Sequence, residues 1–266
     1  MRSKQRVRVQ QYAMTTKQVK QSVRIALLAD LHNKEYGHEN KQLIEMVREQ
    51  SPDVIVIAGD LMIAKGCRSI EQLQIAMTLV EALCRIAPVY YGNGNHERTL
   101  KESEEIPHLY AYYRQWLLNA QVVHLENESV YLEKYGVTIR GLDLPRKYFK
   151  RIWKTSLEIS VMNDLIGTAC KDSFELLIAH NPEYFEEYII WGANLILSGH
   201  IHGGIIRVPY LGGLLSPALH FFPKYDGGEF QSENNRMIIS RGLGMHTIPI
   251  RMNNPPELVM IHIEKE

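Results

Sequence analysis

Largely apolar runs alternate along this chain with segments of helical period. Residues 23–29, 54–58 and 174–179 are runs of that kind, the pattern of strands buried on both faces. Residues 39–50 place Leu43, Ile44 and Val47 on one helical face. Pro52 and Asp53 break the pattern before the second strand, and 69–86 predicts a longer helix opened by Ser69 and Gln72 as a capping box. A third strand is expected at 88–91. The middle changes rhythm: a helix over 109–118, then short strands at 121–125, 128–134 and 137–142, with Tyr135-Gly136 as a tight turn. Residues 143–154 read as an irregular loop, 156–166 as a helix, and a short helix follows Asn181-Pro182. Further strands are expected at 193–197, 205–208, 237–240 and 258–263, with a Gly- and Pro-rich stretch at 209–228.

Strands alternating with amphipathic helices predict an α/β fold with parallel pairing. Two sheets packed face to face with helices outside fit the order. Neither an internal repeat nor a low-complexity linker divides the chain. One domain is expected over 23–266, preceded by a basic arm or edge strand over 1–22.

Composition narrows the class. Hydrophobic residues make up 45% and charged residues 23% of the 266, ordinary for a water-exposed globular domain. The formal net charge of zero removes long-range attraction to nucleic acid as a leading theme, so nucleic acid is not an expected partner. The charge is uneven, since Arg2, Lys4, Arg6, Arg8, Lys17, Lys20 and Arg24 all precede Asp30, the first acidic residue. That arm could touch anionic lipid at a membrane surface. No apolar run is long enough to span a membrane. The basic N-terminus has no apolar stretch behind it, so a cytoplasmic location is expected. Three scattered cysteines, Cys67, Cys84 and Cys170, suggest neither a disulfide framework nor a thiolate zinc site.

Chemistry enters at the strand ends. Asp30-Leu31-His32 follows the first strand, Gly59-Asp60 the second and Gly94-Asn95-His96-Glu97 the third; His180 follows the run at 174–179, and Gly199-His200-Ile201-His202 the one at 193–197. In open α/β sheets that edge is where ligands bind. Asp30 and His32 are one residue apart, so in an extended strand end both could reach one ion. Seven candidate ligands result: Asp30, His32, Asp60, Asn95, His180, His200 and His202. Seven exceeds the roughly four that a single zinc ion takes. With Asp60 shared, they divide between two ions. The mixed oxygen and imidazole donors suit Mn, Fe or Zn better than Ca or Mg. His96 is the natural general acid, having a reference pKa near neutrality.

These five motifs, in this order over residues 30–202, resemble the calcineurin-like metallophosphoesterase superfamily. The resemblance implies a four-layer αββα sandwich of two mixed β-sheets flanked by helices. It also implies that Asp30, His32, Asp60 and His202 hold one ion, that Asp60, Asn95, His180 and His200 hold the other, and that His96 sits over the leaving group. Gly199-His-Ile-His-Gly203-Gly204, Ser240-Arg-Gly-Leu-Gly244, Arg251 and Pro255-Pro-Glu257 are similar to a bacterial branch. That branch includes cell-envelope phosphoesterases and UDP-2,3-diacylglucosamine pyrophosphatases. Protein phosphatases of the superfamily carry Asp-Arg-Gly after the second motif. Here Leu61-Met-Ile-Ala-Lys-Gly66 stands instead, which argues against that activity.

The expected function is hydrolysis of a phosphoester, a phosphodiester or pyrophosphate before a monoester. Two divalent or mixed-valence ions about 3.5–4 Å apart would clamp the phosphate and hold a hydroxide for in-line attack. His96 would protonate the leaving oxygen, and Asp60 would hold the ions together. From another class, the alternative is a metal-binding interaction scaffold without catalysis. Substrate choice must lie outside the motifs. Arg146, Lys147, Lys150 and Arg151, interleaved with Tyr148, Phe149 and Trp153, could meet a second phosphate or a nucleotide base. Residues 211–225 carry Leu214, Leu215, Leu219, Phe221 and Phe222 and could cradle a lipid-linked substrate. Oligomeric state is not legible.

Overall fold

The computed structural model describes residues 6–150, 154–204, 206–208, 212–215, 223–245 and 251–266, with backbone alone at 206, 208, 212, 214 and 215. In chain order the strands are β1 (Arg8–Thr16), β2 (Val23–Leu28), β3 (Val54–Ala58), β4 (Val89–Gly92), β5 (Val123–Leu125), β6 (Ser129–Leu132) and β7 (Val137–Leu142). They continue as β8 (Phe174–Ala179), β9 (Leu195–Ser198), β10 (Ile206–Val208), β11 (Gly212–Leu215), β12 (Gly228–Ser232), β13 (Asn235–Ile239) and β14 (Glu257–Lys265). The helices are α1 (Lys41–Glu49), α2 (Gln74–Cys84), α3 (Asn95–Lys101), α4 (Pro107–Asn119), α5 (Ile159–Ile166) and α6 (Phe185–Trp191).

Two six-stranded mixed sheets result, ordered β1-β14-β2-β3-β4-β5 and β12-β13-β9-β8-β7-β6. Within the first, β2 to β5 run parallel and β14 pairs antiparallel to β2. Within the second, β7, β8, β9 and β13 run parallel, with antiparallel partners at both edges. Strand alternation distributes side chains among the layers. In β3, Val54, Val56 and Ala58 face the second sheet, while Ile55 and Ile57 face α1, α2 and α4. In β8, Phe174, Leu176 and Ile178 face the first sheet, while Leu177 and Ala179 face α5 and α6. Three apolar layers therefore separate helix, sheet, sheet and helix, which is the four-layer αββα sandwich that the sequence predicts.

Several elements differ from the pattern. The helix expected over 39–50 starts at Lys41, because Glu39 and Asn40 have φ of 54° and 58°. The one expected over 69–86 opens as a 3-10 turn at Ile70–Leu73, with the Ser69–Gln72 capping box formed. The helix at 156–166 begins only at Ile159. α3 starts directly at Asn95 within a motif read only as a strand end. β1 is mostly polar and half-exposed, yet pairs in parallel with β14 at the edge of the first sheet. β12 arises within and beyond the Gly-rich stretch.

Candidate metal centre

Five motif loops leave β2, β3, β4, β8 and β9 at one end of the two sheets. Backbone contact draws two of them together. A Cβ on Gly59, whose φ is +83°, would lie 2.5 Å from Gly94 Cα, and one on Gly94 would lie 2.6 Å from Asp60 N. Only glycine permits this approach, and it seats Asp60 against the start of α3. There the His96 amide donates to Asp60 Oδ1 at 2.7 Å.

Glu97 holds the same corner from beneath. Fully buried, its carboxylate accepts from the amides of Asp60 (2.9 Å), Leu61 (3.1 Å) and Gly94 (3.0 Å) and from the Tyr91 hydroxyl (2.6 Å). Burial and the neighbouring Asp60 charge push its pKa up, while the hydrogen bonds oppose them. Sequence reasoning gave Glu97 no role. Its signal was an acid at the third position of a helix, placed to fold back on the helix start.

Five candidate ligands adopt backbone that non-glycine residues seldom take: Asp30 (φ 53°), His32 (49°), Asp60 (56°), His200 (72°) and His202 (54°). Asp30 and His32 therefore do not converge through extended alternation, as expected, but through a left-handed turn. Such strain clusters at functional sites and is held by its surroundings. Here the Asp30 amide donates to Gly59 O at 3.0 Å and the His32 amide to Asp60 O at 3.1 Å.

Ligand-type atoms gather in three overlapping groups, each within 4.8 Å: Asp30 with His32 and His202, Asp60 with His180 and His200, and His32 with Asp60 and His96. His32 Nε2 and His202 Nε2 lie 2.9 Å apart. His180 Nε2 is 3.1 Å from Asp60 Oδ2 and 3.8 Å from Asp30 Oδ1. The His180 Nδ1–H donates to Ala58 O at 2.6 Å, which aims Nε2 at the carboxylates, as metal-binding imidazoles are aimed. Asn95 Oδ1 is buried and accepts no hydrogen bond, an orphan acceptor that a cation would satisfy.

Electrostatics point the same way. Burial drives Asp30 up to about 7, aided by the Asp60 charge and opposed by His180. Burial also acts to raise Asp60, but His180, His96 and His32 outweigh it and hold it well below the usual range. Burial lowers His180, yet Asp60 and Asp30 together raise it to about 10. Two buried carboxylates among five imidazoles make a setting that divalent cations would suit. Oxygen and imidazole donors, with an orphan amide oxygen, fit divalent metal ions.

All seven proposed ligands and His96 lie at this edge. So does the 241–244 turn, where the amides of Leu243 and Gly244 donate to Ala29 O (3.0 Å) and Asp30 O (2.5 Å). Arg146 and Lys147 sit on a 3-10 turn (Arg146–Phe149) beside Asn95, and Phe149 packs 5.5 Å from the His200 ring. Arg151 and Trp153 lie outside the described residues, as do Leu211, Leu219, Phe221 and Phe222 of the proposed lipid cradle. No helix of the described residues is long and apolar enough to cross a membrane.

Sequence comparison agrees with the geometry. The metallophosphoesterase YkuE of Bacillus subtilis (strain 168), itself uncharacterized, is 30% identical over 260 residues, covering 91% of this chain and 79% of its own. A putative metallophosphoesterase of Caenorhabditis elegans, F40B5.2, is 26% identical over 90% of this chain, which spans 48% of that protein. The phosphodiesterase YaeI of Escherichia coli (strain K12) is 25% identical over 90% of this chain and 82% of its own length. The family described as calcineurin-like phosphoesterase matches residues 23–204, the span that carries every motif loop. The chain therefore belongs to the calcineurin-like phosphoesterases and is a hydrolase of phosphoric esters.

Proposed function

We propose that the chain cleaves a phosphodiester or pyrophosphate using two divalent ions. Asp30, His32, Asp60 and His202 would hold one, and Asp60, Asn95, His180 and His200 the other. The observation that carries this reading is the meeting of the Asp30–His32–His202 and Asp60–His180–His200 groups, each within 4.8 Å, at one buried edge. When bound, the ions would supply an activated water and offset charge on the phosphate oxygens.

The chain's own residues do the rest. Asp60 presents Oδ2 to His180 while the His96 amide holds Oδ1, so its carboxylate is fixed where both groups meet. His96 is the proposed general acid. The Ala64 amide donates to its Nδ1 at 2.9 Å, which orients the ring. Protonated to the imidazolium, the ring would give a proton to the departing oxygen and return to neutral. The preference for a diester or pyrophosphate draws on the name of the similar YaeI and on the basic Arg146–Phe149 turn beside Asn95.

Purified protein with Mn²⁺ should hydrolyse bis-p-nitrophenyl phosphate faster than p-nitrophenyl phosphate. His96→Ala should retain metal content while kcat falls by roughly 10²–10⁴ on a diester with an alkoxide leaving group. Unchanged turnover of that diester would remove His96 from the general-acid role. Faster cleavage of the monoester would reverse the substrate assignment.

A further inference from the structure

A cavity of about 490 Å³ opens beside the candidate metal centre, bounded by Asn95, Thr99 and Glu102 of α3 and its end, and by Arg146, Lys147, Phe149 and Lys150. Its volume is that of a small-molecule site, more than one phosphate needs. Asn95 and Phe149 form its inner end. The Phe149 ring lies 5.5 Å from that of His200 and 6.2 Å from that of His180, so the cavity leads directly off the Asp60–His180–His200 group. Its charged lining is three cations against one carboxylate, Glu102, which pairs with Arg98 Nε at 2.6 Å and more loosely with Arg146 Nε at 3.9 Å, leaving the lysines without an acidic partner in the cavity wall.

The turn bearing these cations is braced. Tyr148 is 3% exposed and packs into the layer between the second sheet and its helices. Its carbonyl accepts from Asn181 Nδ2 at 2.9 Å and from the Tyr184 hydroxyl at 3.3 Å. Thr155 Oγ1 donates to the Lys147 carbonyl at 3.0 Å. Asn181 directly follows His180, so the backbone of the cationic turn is tied to a proposed ligand's own loop. A position fixed this way lowers the cost of ordering charged side chains around a ligand.

A second cavity of about 500 Å³ adjoins the first through Thr99, Glu102 and Arg146, but Glu104 and Glu105 there oppose Lys65 and Arg68. It offers no comparable preference for anions. Selection by charge therefore falls to the Arg146–Lys150 side.

The geometry points to Arg146, Lys147 and Lys150 as a specificity subsite for a second anionic group, one phosphate removed from the scissile phosphate. Phe149 is the wall between the two positions. The substrate class is a diester of diphosphate, with one phosphate at the metal centre and the next among the cations. Arg146 supplies a planar fork that grips a phosphate by two bonds, and the lysines supply point charges. The inference rests on the phosphohydrolase reading and specifies what that site selects.

The test compares wild type with Lys147→Ala/Lys150→Ala and with Arg146→Ala, all with Mn²⁺ and with folding checked by circular dichroism. UDP-glucose, a diphosphate diester, and bis-p-nitrophenyl phosphate, with a single phosphate, are the substrates. The variants should lower kcat/KM for the diphosphate by roughly 10–100-fold, mainly through KM, and the ratio between the two substrates by at least about tenfold. An unchanged ratio overturns the subsite, whether both activities fall or neither does. A second readout does not depend on turnover: calorimetry of ADP and AMP. Wild type should prefer ADP, and the double variant should lose that preference. Equal affinity of wild type for the two refutes the subsite even if hydrolysis is observed. Preference for ADP without hydrolysis of either substrate keeps the subsite and sinks the proposed cleavage of diesters and pyrophosphates.

Discussion

Replacing Glu97 with glutamine probes the support beneath Asp60, and its cost follows from counting donors. Oε2 accepts from the amides of Asp60 and Gly94; Oε1 accepts from the Leu61 amide and the Tyr91 hydroxyl. An amide keeps only one of these acceptors. Its better orientation puts the NH₂ at the Oε1 position. There the Tyr91 hydroxyl can turn to accept if its 3.2 Å bond with Tyr113, whose hydroxyl donates to it in the native chain, reverses. The Leu61 N–H is then left facing another donor. One stranded buried N–H costs about 1–3 kcal/mol, and two bonds that lose charge assistance cost about 1 kcal/mol more. The sum is about 2–4 kcal/mol. Glu97→Ala strands all four donors and should cost more than about 4 kcal/mol, a large part of a domain's usual 5–15 kcal/mol. The assay is urea unfolding in EDTA, followed by tryptophan fluorescence, with the midpoint compared at unchanged m. EDTA removes stabilisation by bound ions. A glutamine shift below about 1 kcal/mol would refute the reasoning. It would mean that Glu97, raised by burial and by Asp60, is already protonated and donor-matched in the folded chain.

Gly94→Ala isolates a steric effect, because its φ of −100° suits any residue. A Cβ 2.6 Å from Asp60 N forces Asp60 away, so metal per chain by elemental analysis should fall by at least half; full occupancy would contradict the close-approach argument. Saturating Mn²⁺ at about 100 times Kd should stabilise wild type by about 2.7 kcal/mol. Asp60→Asn should lose most of that gain, and an equal gain in both would sink the shared-carboxylate assignment. Acid should destabilise the fold through His124, which donates from Nε2 to Asn93 Oδ1 and whose pKa burial lowers from 6.5 to about 4. Its folded pKa is depressed, so as pH falls from 6.5 towards 4 the unfolded chain takes a proton that the folded chain refuses. The loss is about 3 kcal/mol. His124→Gln should flatten that limb of the stability profile, and an unchanged limb would assign it elsewhere.

The parts of this fold that sequence exposes most clearly are those where burial leaves no choice. The runs at β2, β3 and β8 are apolar at every position but Arg24 and Glu175 because both faces are covered, and their ends mark the site. β1 escapes because an edge strand needs apolar residues on only part of one face. Its partner is also distant: Arg8 pairs with Glu257, a contact that no local pattern announces. The ligand types were legible, but the left-handed backbone at Asp30, His32, Asp60, His200 and His202 was not. It is imposed by neighbouring loops rather than by local preference. Glu97 was hidden for a related reason, since two of its four partners belong to the Gly59–Leu61 loop, which becomes adjacent only through tertiary packing.

The meeting of His32 and His202, 170 positions apart in sequence, bears on how this chain matures. Asp30, His32, Asp60 and Asn95 belong to the first sheet's loops, whereas His180, His200 and His202 belong to the second's. A growing polypeptide therefore owns only part of either proposed ion shell until its last third has emerged and the two sheets have docked. Long-range closure of this kind comes late because chain entropy must be lost before the contact forms. With those ligands, ion capture would become a checkpoint on the docking of the two sheets, and a half-made chain would have no means of cleaving phosphoesters.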